Sequence, residues 1–167
     1  VALRKIEKRN AKIESIVLFG DAAFTMDSTA LVKTKGKSQP SSGIYTPRQR
    51  GESSGNWPNL PGTAEEVKKV KQLFDNNKIA SRSFTGATAN EENLKALSDQ
   101  STQVLHIATH GFFLPEPDKK KKADHSAGSN TYTLADDPLL RSGLILAGGN
   151  YAWSGKTPIE GIEDGIA

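Results

Sequence analysis

The chain has 167 residues, the length of one domain with one hydrophobic core. Its net charge of +3 is less than Lys119 to Lys122 contribute by themselves, so no general basic field points to nucleic acid, and no apolar run of about 18 residues suits a membrane helix. There is no cysteine, which excludes a disulfide framework or a thiolate metal site within these residues.

Residues 1–14 read as a linker or the end of a helix. The opening "VALRKIEKRNAKIES" lacks the apolar stretch of a secretory signal, and the expected setting is soluble and cytoplasmic. "SIVLFGDAAF" follows, with Ile16, Val17, Leu18 and Phe19 unbroken, the pattern of a strand covered on both faces that stops at Gly20-Asp21. Residues 27–59 hold few apolar groups and are expected to form a long mobile loop. "LPGTAEEVKKVKQLFDNN" predicts a helix. Thr63 is its expected cap, Glu66 the capping-box partner, and Val67, Val70, Leu73 and Phe74 its inward face.

"IASRSFTG" predicts a second strand, and "ATANEENLKALSD" a second helix with Thr88 or Asn90 as cap and Leu94 and Leu97 inward. "VLHIATHGFF" carries a third strand that ends at Gly111. Residues 114–137 are polar and lysine-rich, a second surface loop by composition. "SGLILAGG", from Ser142 to Gly149, predicts a fourth strand. Strands alternating with helices of about 10–15 residues argue a parallel α/β sheet with helices on both faces.

Two histidines interrupt the third strand. On an unbroken strand His106 would lie roughly 13 Å deeper than His110, so the two residues should differ in role. Ligands collect where parallel strands end, which makes His110 the accessible one and leaves His106 a core histidine bonded to backbone. A zinc pair at this spacing needs a helix and a third ligand, neither of which the segment offers. His125, in the lysine-rich loop, reads as solvated.

Taken in order, "LPGTAEEVKKVKQLF", "GATANEENLKAL", "VLHIATHGFF", "DPLLRSGLILAGGN" and "EDGIA" resemble the CHAT domain, with "FGDAAF" matching its first strand. That family is a caspase-like and separase-like group of clan CD cysteine peptidases, often fused to tetratricopeptide repeats. The resemblance covers about residues 57–167. It implies an α/β, three-layer caspase-like domain with a mostly parallel central sheet, incomplete at the C-terminus. Residues 15–167 would be a partial CHAT domain carrying the two insertions.

The resemblance also implies that His110 is a general base and that Gly111 offers a backbone N–H to an oxyanion. A Cys at the end of the next parallel strand would be the nucleophile. A thiol with a reference pKa near 8.5 needs a neighbouring imidazole to raise its thiolate fraction at neutral pH. Neither a metal nor another cofactor is implied. The implied partners are protein or peptide substrates and tetratricopeptide repeats of the same parent chain, with no nucleic acid and no membrane.

In the family the Cys lies beyond the "EDGI" block, and this chain reaches Ala167 without one. A fragment of a longer protein is the expected explanation, ahead of a processed large piece or an inactive relative. Asp21, at the end of the first strand, and Asp164, in "EDGIA", are candidate substrate-binding carboxylates, each with a turn-forming role as the competing explanation. Ser142 and Thr109 lack the sharp Gly-x-Ser-x-Gly turn of a serine nucleophile, and "GDAAF" is no phosphate loop. Two functions therefore stand, a cysteine endopeptidase and a non-catalytic caspase-like scaffold that binds proteins.

Overall fold

A computed structural model describes residues 12–33, 55–98, 100–113, 141–156 and 162–167. The fold is built around β1 (Ser15–Ala22), whose Ile16, Val17, Leu18 and Phe19 are all buried. Burial on both faces is why this strand reads as a continuous apolar run instead of an alternating one. A short helix, α1 (Ser28–Lys33), follows within the first expected loop, and α2 (Pro61–Asn76) then leads into β2 (Ala80–Gly86). After α3 (Glu91–Lys95) the chain forms β3 (Val104–Ile107). The sheet order is β2-β1-β3, with both pairings parallel.

Each face of this sheet has its own cover. Ile16 and Leu18 pack with Val67, Val70 and Phe74 of α2 and with Val104. Val17 and Phe19 face the other way, toward Ala89, Leu94 and Leu97 around α3 and toward residues from the C-terminal part of the chain. Leu73 of α2, expected inward, is 60% exposed. Six residues on from Val67, it stands about 120° away around the helix axis and misses the sheet.

The start of α2 also differs from expectation. Pro61 occupies the first helical turn, where its missing N–H costs nothing, and Leu60 is the N-cap. Thr63 lies inside the helix. Its hydroxyl donates to Leu60 O at 2.7 Å and accepts from Asp21 N at 2.8 Å, which ties α2 to the end of β1. At α3 the second of the two expected caps is found: Asn90 accepts from Asn93 N at 3.0 Å.

"VLHIATHGFF" forms two strands, not one. Ala108 still donates to Phe19 O at 2.8 Å, but the chain leaves the parallel sheet at Thr109 and starts β4 (His110–Phe113). β4 pairs antiparallel with β5 (Ser142–Ile145), His110 facing Ile145 and Gly111 facing Leu144. Gly111 thus lies inside a strand and ends none. The expected fourth strand, Ser142 to Gly149, is β5 followed by a turn through Gly148 (φ 82°) into α4 (Gly149–Trp153).

Residues 162–167 run along the other side of β5, with Leu146 N donating to Gly165 O at 2.8 Å and Ala167 N to Leu144 O at 3.1 Å. The two sheets are joined where the segment after β5 meets the loops that leave β1 and β2. Ala147 N donates to Ala89 O, Gly148 N to Ala23 O and Asn150 N to Phe24 O, all within 3.0 Å. Residues 1–11, 34–54 and 114–140 lie outside the described residues, and with them Lys119 to Lys122, His125 and the second expected loop. Among the described residues no helix is long and apolar enough to cross a membrane.

Candidate active site

Because β1, β2 and β3 are parallel, their carboxyl ends share one edge of the sheet, the edge where open α/β sheets receive ligands. Asp21 stands on this edge at the irregularity between Phe19 and Ala22, exposed, with a left-handed φ of 49°. His110 stands three residues past the last residue of β3, on the neighbouring strand's exit. The fold therefore brings these two predicted residues to one rim. The turn before His110 is pinned by Thr109, whose hydroxyl donates to Ile145 O.

The His110 ring is half-buried and does not stand open on the rim. It lies between Phe24 and Trp57, each with its ring centroid 5.0 Å away. Trp57 continues the aromatic row to Trp153 at 5.0 Å, and Trp153 to Phe112 at 5.3 Å. Nε2 of His110 is 2.8 Å from Pro58 O. A carbonyl oxygen can only accept, so Nε2 carries the hydrogen, and in the neutral ring Nδ1 keeps its lone pair. One backbone carbonyl thereby decides which nitrogen can act as a base.

Gly111 presents its backbone in a defined direction. Residues 144 and 146 aim their N–H groups at the C-terminal segment, so by strand alternation Leu144 turns its backbone groups away from β4. Gly111, opposite Leu144, is then a pair without mutual hydrogen bonds, and its N–H points away from β5. A Cβ at this position would meet Gly143 O at 3.6 Å and Leu144 Cδ2 at 3.9 Å, ordinary contacts. Packing alone does not require the glycine.

The other predicted residues sit apart. His106 is half-buried beneath α2, Nε2 lying 3.1 Å from Glu66 Oε1 at an angle that makes no hydrogen bond. It is therefore neither sealed in the core nor bonded to backbone, and Glu66, expected to serve the cap of α2, is the group that faces it. Asp164 accepts from Ile166 N at 2.9 Å, a turn-forming role, and its charge acts on Glu91. Burial first, and then Asp164, pushes the Glu91 carboxyl up from 4.5 to about 7. Among the described residues no group of three His, Cys, Asp or Glu could hold a metal ion.

Sequence reasoning missed Trp57, Pro58 and Asn150. The first two lie in a stretch whose polar composition reads as a loop, although a tryptophan beside a proline is a poor fit to a solvated loop and is the available signal.

The family model for the CHAT domain matches residues 2–163. The chain belongs to the CHAT family. CHAT domains form a caspase-like group within clan CD, and the parallel three-stranded sheet described above is consistent with that architecture. No curated protein and no solved structure matches the chain.

Proposed function

We propose that the chain forms the histidine-bearing part of a CHAT cysteine endopeptidase that hydrolyses peptide bonds in protein substrates. His110 is the general base, and the nucleophile is a Cys in sequence beyond Ala167. The observation that carries the reading is the Nε2–H bond to Pro58 O, which leaves Nδ1 as the proton acceptor at the rim of a parallel sheet. Nδ1 takes the thiol proton, the thiolate sulfur attacks the peptide carbonyl, and the C–N bond breaks as the imidazolium returns that proton to the leaving amine. Water then cleaves the acyl-enzyme. The outward-facing N–H of Gly111 is suited to receive the oxyanion.

Asp21, exposed on the same rim, would pair with a basic substrate side chain. Asp164 is the lesser candidate because its carboxylate already serves a turn. A cytoplasmic setting and tetratricopeptide repeats in the same polypeptide complete the proposal. The absence of cysteine from all 167 residues favours a second reading, a non-catalytic scaffold that binds proteins.

The full gene product separates the two. His110→Ala should lower peptide cleavage by at least about 100-fold. His106→Ala should leave cleavage in place and cost about 1 kcal/mol of stability, the usual size for removing a half-buried side chain. Cleavage that survives His110→Ala removes the base assignment. A gene product with no Cys at the end of an apolar run after Ala167, and no cleavage, establishes the scaffold.

A further inference from the structure

Pro58 O can fix the imidazole only if the segment carrying it is itself held in place. That segment, residues 55–60, has no regular secondary structure. A short strap of this kind is not oriented by a ladder of its own, and its position must come from contacts across the chain.

Thr63 holds the far end of the strap at Leu60 O, and the hydrogen bonds to Trp57, the residue before Pro58, come from one side chain. Asn150, the second residue of α4, is 3% exposed. Its Oδ1 accepts from Trp57 N at 2.7 Å, and its Nδ2 donates to Trp57 O at 2.9 Å and to Thr25 Oγ1 at 2.9 Å. One amide thus binds both backbone groups of the residue before Pro58, as a neighbouring strand would. No other natural side chain of this length supplies an acceptor and two donors in one plane. The backbone of Asn150 is fixed in turn by its N–H to Phe24 O at 3.0 Å. Phe24 is one of the two rings that enclose His110. Asn150 therefore links the loop after β1, the strap and the histidine.

We infer that Asn150 is a positioning residue for His110, acting through the Trp57-Pro58 strap to keep the Pro58 carbonyl on Nε2 and so to keep Nδ1 free as the base. It rests on the peptidase reading for its catalytic meaning, while the link between Asn150 and the ring is a statement about this chain alone. Asn150→Asp retains the acceptor and loses both donors. Asn150→Ala loses all three bonds, and Thr25→Val loses only the bond outside the strap.

The test is the Nε2–H resonance of His110 and its exchange with water, read by NMR in the full chain uniformly labelled with 15N. It should be slow in the parent and in Thr25→Val. It should exchange at least about tenfold faster, or vanish, in Asn150→Asp and Asn150→Ala, while β1 amides keep their positions. In cleavage assays of the full gene product the same two variants should lower kcat with little change in KM. An unchanged ring resonance in both variants overturns the inference. So does loss of the whole native spectrum in both, which would make Asn150 a support of the fold as a whole. If the ring responds but His110→Ala still cleaves, the link between Asn150 and the ring stands and the assignment of His110 as the base fails, so the two failures are told apart.

Discussion

Single glycines separate what the fold needs from what the site needs. A Cβ on Gly20 would come within 2.5 Å of Val67 Cγ2 and 3.2 Å of Thr63 O, because β1 and α2 meet there without room for a side chain. Val67 is a stiff β-branched residue, 3% exposed, and cannot swing aside. Gly20→Ala should therefore cost about 1–3 kcal/mol, and less in a Val67→Ala background where the obstructing methyl is gone. Urea melts of the double-mutant cycle would check this, and equal costs in the two backgrounds would refute the contact as the cause. Gly111→Ala, by contrast, meets only ordinary contacts and should unfold at a denaturant midpoint close to the parent's. A large loss of cleavage at unchanged stability would support the proposed role of Gly111 as a backbone donor that substrate approaches closely, and unchanged cleavage would count against it.

At the scale of elements, what could be read from sequence was whatever neighbouring residues decide. β1 was legible because four consecutive apolar residues need cover on both faces, and α3 because Asn90 stands directly before Glu91 and Glu92, acidic groups in a first turn. Asn90→Ala should cost about 1 kcal/mol and show itself as faster amide exchange at Asn93, whose N–H it would leave unpaired. No change at Asn93 would mean that tertiary contacts, not the cap, set the start of α3. The break in "VLHIATHGFF" was not legible. No Gly or Pro marks Ala108-Thr109, and the strand that draws His110 out of the parallel sheet begins at Ser142, about 30 residues later. The same distance hid the site's supports. His110 is singled out by the family resemblance, whereas Pro58, 52 residues before it, and Asn150, 40 after and bonded to Trp57, act through a carbonyl and an amide whose partners no local pattern encodes.

The whole molecule is closed by a charged contact, and this gives its stability a pH dependence. Residues 162–167 run beside β5, bridged to it at Ile166, and they meet α3 through Glu163, whose N–H donates to Glu92 Oε1 at 3.1 Å. Lys95 Nζ bridges Glu163 at 2.8 Å and Glu91 at 3.1 Å. Burial alone would lower the Lys95 pKa, but hydrogen bonds to these carboxylates outweigh it and leave it raised. Glu91 has a side chain only 7% exposed and an Oε2 with no hydrogen-bond partner, and its pKa is pushed up to about 7. Between pH 4.5 and 7 the folded chain therefore holds a proton that the unfolded chain has released. Stability conferred by that proton is fully present below pH 4.5 and is lost as pH rises through 7, a fall on the order of 3 kcal/mol. Glu91→Gln keeps the shape and cannot ionise, so it should match the parent near pH 5. At pH 8 it should be more stable by about 1–3 kcal/mol, the gain reduced by the lost ion pair with Lys95. Urea midpoints at the two pH values decide it: curves that run parallel for parent and variant would mean that Glu91 is already ionised in the folded chain and that the contact between α3 and the C-terminal segment carries no proton of its own.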